Sequence, residues 1–186
     1  MTHWQHPMFF GFFPSNATYE GILADMYTSA LTNPGFNWNA SPAVTELEFV
    51  VLDWLAKMMG LSSAFYSNDL SHGGGGVLLG GASEAALTVA IAARERALRA
   101  LAEQHPESAA DPVGWRASML PKLVMYGTTQ THSIAAKAAM MLGLRFRALD
   151  VSRDDAYALR GASLRDAIAE DTARGRIPFL LGTCPH

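Results

Sequence analysis

The sequence predicts an α/β protein, with a mostly parallel sheet flanked by helices and preceded by a helical, aromatic-rich N-terminal segment. Two patterns predict it. From Val77 onward, short apolar runs alternate with helix-period stretches, the order produced by parallel strands joined through crossover helices. Before residue 70 there is no such alternation. Aromatic residues and prolines crowd the first 40 positions, and one amphipathic helix follows. Two parts are therefore expected, residues 1–70 and residues 71–186.

In chain order, His3, Trp4, Phe9, Phe10, Phe12, Phe13, Tyr19, Phe36 and Trp38 lie among the helix breakers Pro7, Pro14 and Pro34. Only Gly21–Leu31 reads as a short helix there. So many aromatic rings need a covering surface, either the rest of the chain or an oligomer interface or ligand pocket. Ser41–Met59 is a helix: Ser41 is placed to cap it and Pro42 fits its first turn. Val44, Leu47, Val51 and Leu55 form its apolar stripe, and Gly60 ends it. No chemistry is expected on it. Val77–Leu79 reads as a short buried strand and Ser83–Ala100 as a helix, with Glu103–Gly114 a surface loop. Strands are expected at Leu123–Tyr126, Leu144–Leu149 and Ile177–Leu181, with helices at Ser133–Leu142 and Ala162–Arg174 between them.

Composition narrows the function. Hydrophobic residues make up 49% of the 186 and charged residues 17%, too apolar a balance for a disordered chain. A formal charge of −3 leaves no basic excess for a phosphate backbone, so no nucleic-acid partner is expected. No stretch is long and apolar enough to span a membrane, and Cys184 is the single cysteine. A soluble, cytoplasmic protein is expected. His3 and His6 lack a carboxylate or cysteine partner nearby, so no metal site is expected either.

Two stretches carry chemistry. The first is the glycine run Gly73–Gly76 followed by Gly80-Gly81-Ala82-Ser83-Glu84. It places Ala82 and Ser83 at a helix N-terminus, where unpaired N–H groups and the helix dipole favour an anion such as phosphate. The same spacing also fits a tight turn with a serine-capped helix and no ligand. Ordinary nucleotide motifs fail: Leu79 stands where a dinucleotide fingerprint needs its third glycine, and Ala82 where a P-loop needs lysine. A hydrolase elbow at Ser83 fails as well, since Ala85 replaces its closing glycine. The second stretch is Tyr126-Gly-Thr-Thr-Gln-Thr-His132-Ser133, which puts His132 at the carboxyl end of a parallel strand. Ligands of open sheets gather at that edge, where an imidazole can stack on a flat ring or handle a proton. A histidine bonded to local backbone fits the same position.

Taken together, several segments resemble the pyridoxal-phosphate-dependent group II amino acid decarboxylases, in particular the aromatic-L-amino-acid branch. They are His3-Trp4-Gln5-His6-Pro7, Phe12-Phe13-Pro14, Asn37–Glu48, Gly74–Glu84, Gln130-Thr131-His132-Ser133 and Gly175–Phe179. The resemblance runs over nearly the whole chain. It implies a partial fold-type I, PLP-dependent-transferase-like large domain behind an N-terminal segment that forms dimer interface and pocket wall. It further implies that Ala82 and Ser83 hold the phosphate of pyridoxal 5'-phosphate and that His132, the catalytic histidine, stacks on its ring. Trp4, Phe12, Phe13, Pro14 and Ser15 would line the substrate side, and Phe36 would reach the partner subunit's pocket. Phe12 stands where many relatives carry tyrosine. The implied reaction is loss of the α-carboxylate of an aromatic amino acid as CO2, in a homodimer.

The same resemblance marks departures. Lys57, Lys122 and Lys137 are the only lysines, and none has the context of the family's cofactor lysine. The family's pyridine-nitrogen aspartate also has no counterpart. The chain is therefore expected to be a fragment, inactive alone. Alternatives are a non-catalytic chain that pairs with a full-length relative, or a decarboxylase of glutamate or histidine.

Overall fold

A computed structural model describes residues 3–12, 16–68 and 73–182. The chain divides into two compact units, Met1–Leu78 and Leu79–His186.

The first unit holds helices α1 (Tyr19–Leu31) and α2 (Pro42–Met58). The Thr18 hydroxyl accepts from the Gly21 N–H at 3.0 Å and starts α1 two residues before the expected Gly21. Thr32, left-handed at φ 42°, ends it ahead of Asn33-Pro34. No residue of α1 is buried. Pro42 opens α2 as expected, but the Ser41 side chain makes no cap bond; it is buried without a hydrogen-bond partner among the described residues. Helix α2 also anchors the segment that follows it. Its buried Asp53 accepts from the Ser67 N–H at 2.6 Å and from the Asn68 side-chain amide at 2.6 Å. That clasp holds the approach to the glycine run, where Gly74 packs so close to the Ala64 carbonyl that a Cβ would lie 2.2 Å from its oxygen.

The second unit is a three-layer α/β structure. Its helices are α3 (Ala82–Gln104), α4 (Pro112–Met119), α5 (Ile134–Met141) and α6 (Gly161–Ala173). Its strands are β1 (Leu123–Thr128), β2 (Arg145–Leu149) and β3 (Ile177–Leu181), all parallel in the order β2-β1-β3. Central β1 is buried along its whole length, and its alternation divides the core. Leu123 and Met125 face Leu98, Met119, Ala135, Ala139 and Leu144. Val124 and Tyr126 face Leu149 and Ala167, with Leu159, Leu164 and Ile168 around them. Helices α5 and α6 thus cover opposite faces, as right-handed crossovers require when the chain steps first to one side of β1 and then to the other.

Two local features refine the sheet. Gly127 lies where a Cβ would meet the Phe146 ring at 2.7 Å, so β1 and β2 close only over a glycine. Pro178 has no N–H to give the ladder, and the β1–β3 register slips after Val124.

Val77–Leu79 is not a strand: the segment has no regular structure and its three side chains are exposed. Three apolar residues without a paired edge do not make a ladder. Glu103–Gly114 is also more regular than expected, because α3 runs on to Gln104, a 3₁₀ turn follows at Pro106–Ala109, and α4 starts at Pro112 behind the Asp111 cap. Its polar composition masks capped helix starts.

The three strands are joined by one ionic cluster. Asp171 of α6, fully buried, accepts from the Tyr126 hydroxyl at 2.8 Å and pairs with Arg147 at 3.0 Å and Arg176 at 2.7 Å. Burial pushes the Asp171 carboxyl up, but the hydrogen bonds from Tyr126, Arg176 and Arg147 outweigh it and hold the group below the usual aspartate value. Burial, then the bond to Asp171, raises the Tyr126 phenol. Asp171→Asn should therefore cost about 3 kcal/mol or more in urea unfolding at neutral pH. A depressed folded-state value makes that stabilisation complete above the unfolded aspartate value of about 4 and lost as pH falls through the folded one. The gap between wild type and D171N should narrow in acid; an unchanged gap would rule out an ionised Asp171.

Candidate functional site

Within the second unit, the start of α3 and the turn after β1 meet at one pocket of about 370 Å³, lined by Gly80, Gly81, Ala82, Ser83, Glu84, His132 and Ile134. Ala82, Ser83 and His132 are thus brought together. The expected strand before α3 is not what aligns them; α3 and α5 pack side by side through Leu98, Ala135 and Ala139.

Each half of the pocket has a local cause. Gly81 is the N-cap of α3, extended at φ −175° and ψ 166°, and offers no side chain to the helix start. The first helical bond runs from Ala85 N–H to the Gly81 carbonyl at 3.1 Å. The N–H groups of Ala82, Ser83 and Glu84 therefore have no acceptor among the described residues. Above Gly81 there is open space: a Cβ there would meet nothing within 4 Å. Free amides, a helix dipole and a serine hydroxyl beside open space suit a phosphate dianion. The Ser83 hydroxyl does not cap the helix, which sets aside the serine-capped reading of this turn.

His132 is held from both sides. On the strand side, the Thr131 hydroxyl accepts from the Thr128 N–H at 2.8 Å, and the Thr128 hydroxyl accepts from the Gln130 N–H at 3.2 Å. On the helix side, Nδ1 of His132 accepts from the Ile134 N–H at 3.2 Å and caps α5 in place of Ser133, which makes no cap bond. The neutral ring then carries its proton on Nε2. The histidine is bonded to local backbone and lines the pocket at once. A second, mostly apolar pocket of about 300 Å³ adjoins at His132 and Ile134, between Met125 of β1 and Leu180, Leu181 and Gly182 at the end of β3. This is the crevice at the strands' carboxyl ends where chain direction switches, the usual ligand position in open sheets.

The remaining candidates belong to the first unit. Trp4 stacks on Phe12 at 5.3 Å between ring centroids and 15° between planes, with Phe9 tilted against both. Phe12 holds a positive φ of 62°. Phe36 is 80% exposed. Phe13, Pro14 and Ser15 lie outside the described residues. Two contributors escape a reading of the sequence, the Thr128–Thr131 staple and Glu84, whose carboxylate accepts from the Gly80 N–H at 3.0 Å. A glutamate three residues past a helix cap is the one signal that could have flagged it.

Fold and pocket define an α/β domain whose sheet crevice presents an uncapped helix start beside a fixed imidazole. The chain belongs to the pyridoxal-dependent decarboxylases, whose conserved-domain model matches residues 1–184. It is 42% identical to the aromatic-L-amino-acid decarboxylase of Rattus norvegicus over 97% of this chain and 36% of that protein. To the phenylacetaldehyde synthase of Arabidopsis thaliana it is also 42% identical, over 97% of this chain and 34% of the relative. Oryza sativa TDC, solved with PLP, superposes with a TM-score of 0.83 at 38% identity, covering 97% of this chain and 37% of that one. The chain thus spans about a third of the length of these relatives. The fold is that of the PLP-dependent decarboxylases, as the sequence led us to expect.

Ala82→Pro tests the anion seat. Proline suits the first helical position, and Gly81 is already extended as a residue before proline must be, so α3 should keep its stability. One amide donor is removed. Affinity for pyridoxal phosphate in equilibrium dialysis should fall about tenfold, the worth of one hydrogen bond to a charged group. Unchanged affinity would mean that the phosphate does not sit on these amides.

Proposed function

We propose that the protein carrying this sequence is a carboxy-lyase that removes the α-carboxylate of an aromatic L-amino acid as CO2 with pyridoxal 5'-phosphate. The observation that carries the reading is the pocket that joins the uncapped start of α3 to His132. When bound, the cofactor supplies an electron-accepting ring for the pair left by the departing carboxylate. The protein's part is placement. The amides of Ala82 and Ser83, with the Ser83 hydroxyl, bind the phosphate and fix one end of the ring. His132, immobilised through Nδ1, offers a flat face for stacking and its Nε2 proton to the reacting centre. The apolar crevice beyond it excludes water from that face.

Substrate preference rests on the N-terminal aromatics. Trp4 and Phe12 are suited to face the substrate ring, and their stack supports an aromatic over an acidic side chain. Release of labelled CO2 from carboxyl-labelled tyrosine, DOPA and tryptophan, measured on the longest natural form of the protein, tests this. Release from an aromatic acid at least about a hundredfold above glutamate is expected, since a buried carboxylate without a cation costs several kcal/mol. Faster release from glutamate or histidine would replace the aromatic assignment.

The working form is a homodimer. The support is the apolar face of the first unit: α1 buries nothing, and Tyr19, Met26, Tyr27 and Leu31 are each more than 60% exposed. So much apolar surface calls for a partner, and Phe36 at 80% exposure is suited to reach across into the second subunit's pocket. Light scattering should give twice the chain mass, and Met26→Asp with Tyr27→Asp should halve it. A monomeric wild type would remove the dimer.

A further inference from the structure

We propose that Glu84 is a positioning residue for the phosphate seat, clamping the double-glycine turn so that the free amides of α3 converge on the anion. The inference rests on the reading of that pocket as the cofactor-phosphate site. Its observation is separate: the Glu84 carboxylate lies in the pocket wall and takes the Gly80 N–H at 3.0 Å.

The need for a clamp follows from the turn itself. Gly80 and Gly81 lack side chains, so the segment entering α3 loses more conformational entropy on ordering than any other pair would. Gly81 provides no capping oxygen, and Val77–Leu79 ahead of it has no ladder to hold it. Among the described residues, the Glu84 bond is the only side-chain bond made to the turn. It reaches back four residues, one further than a usual capping box, and engages the amide outside the helix rather than those inside it. The consequence is functional. The carboxylate gains from the positive end of the helix dipole, yet leaves the amides of Ala82, Ser83 and Glu84 itself to a ligand. The fit is close, since a Cβ on Gly80 would lie 3.0 Å from the Glu84 Oε2.

A negative charge in an anion pocket opposes the ligand, so clamp and charge can be separated. Glutamine keeps an acceptor oxygen and drops the charge; alanine drops both. In equilibrium dialysis of the full 186-residue chain, with pyridoxal phosphate and with pyridoxal, E84A should lose about tenfold in affinity for the phosphate-bearing compound only. E84Q should match wild type or bind more tightly. Inorganic phosphate should compete in the same order. Loss of pyridoxal and pyridoxal phosphate binding alike in E84A would mean general damage and overturn the clamp, as would an E84A indistinguishable from wild type. A wild type that does not prefer pyridoxal phosphate over pyridoxal would instead overturn the phosphate seat, and the clamp with it.

Discussion

One buried carboxylate holds the second unit in register. Asp171 reaches from α6 to Tyr126 on β1, Arg147 on β2 and Arg176 just ahead of β3, so one side chain touches the segments that build the sheet. A charge taken out of water is costly unless paired, and a folding error that separated any of these segments would leave it unpaired. The cluster acts less as added stability than as a requirement on geometry. Around it, Arg147 and Arg174 also pair with Glu170, which carries the network to the surface. Because β1 is thereby fixed between its neighbours, the turn that follows it, and His132 on that turn, are fixed as well.

The pocket is built from backbone rather than from reactive side chains. Its free donors are amides that α3 cannot use internally, and they stay available because Gly81 has nothing to cap them with. Its imidazole is oriented by an amide of α5 and by a hydroxyl staple at the end of β1. Such a seat is rigid without a dedicated cation. Among the described residues that line it there is no lysine or arginine, so the donors it offers are backbone amides.

The two units differ in how they are held. The second has strands, a divided core and ion pairs. The first leaves α1 without a buried residue and depends on local devices: the Thr18 cap, the Asp53 clasp and the close approach at Gly74. Tyr19, Met26, Tyr27 and Leu31 of α1 stay exposed, so packing contributes little to that helix and its caps hold it.

The strand–helix alternation is legible in the chain, with β1, β2 and β3 and the helices between them found within two residues of their expected bounds. Period and punctuation by glycine and proline are local, and local signals survive in a linear reading. It also singled out Ala82, Ser83 and His132, because glycine runs and strand-end histidines are visible as text. The rest depends on contacts between distant segments. Val77–Leu79 has a strand's composition but no strand beside it, and pairing is a property of two segments. Asp171 and Asp53 resemble surface acids until the fold buries them against partners 45 and 14 residues away. Glu84 resembles an ordinary first-turn glutamate until the turn closes on it. Where a residue's role depends on its own few neighbours, the chain states it; where the role depends on what distant segments bring to it, only the folded protein does.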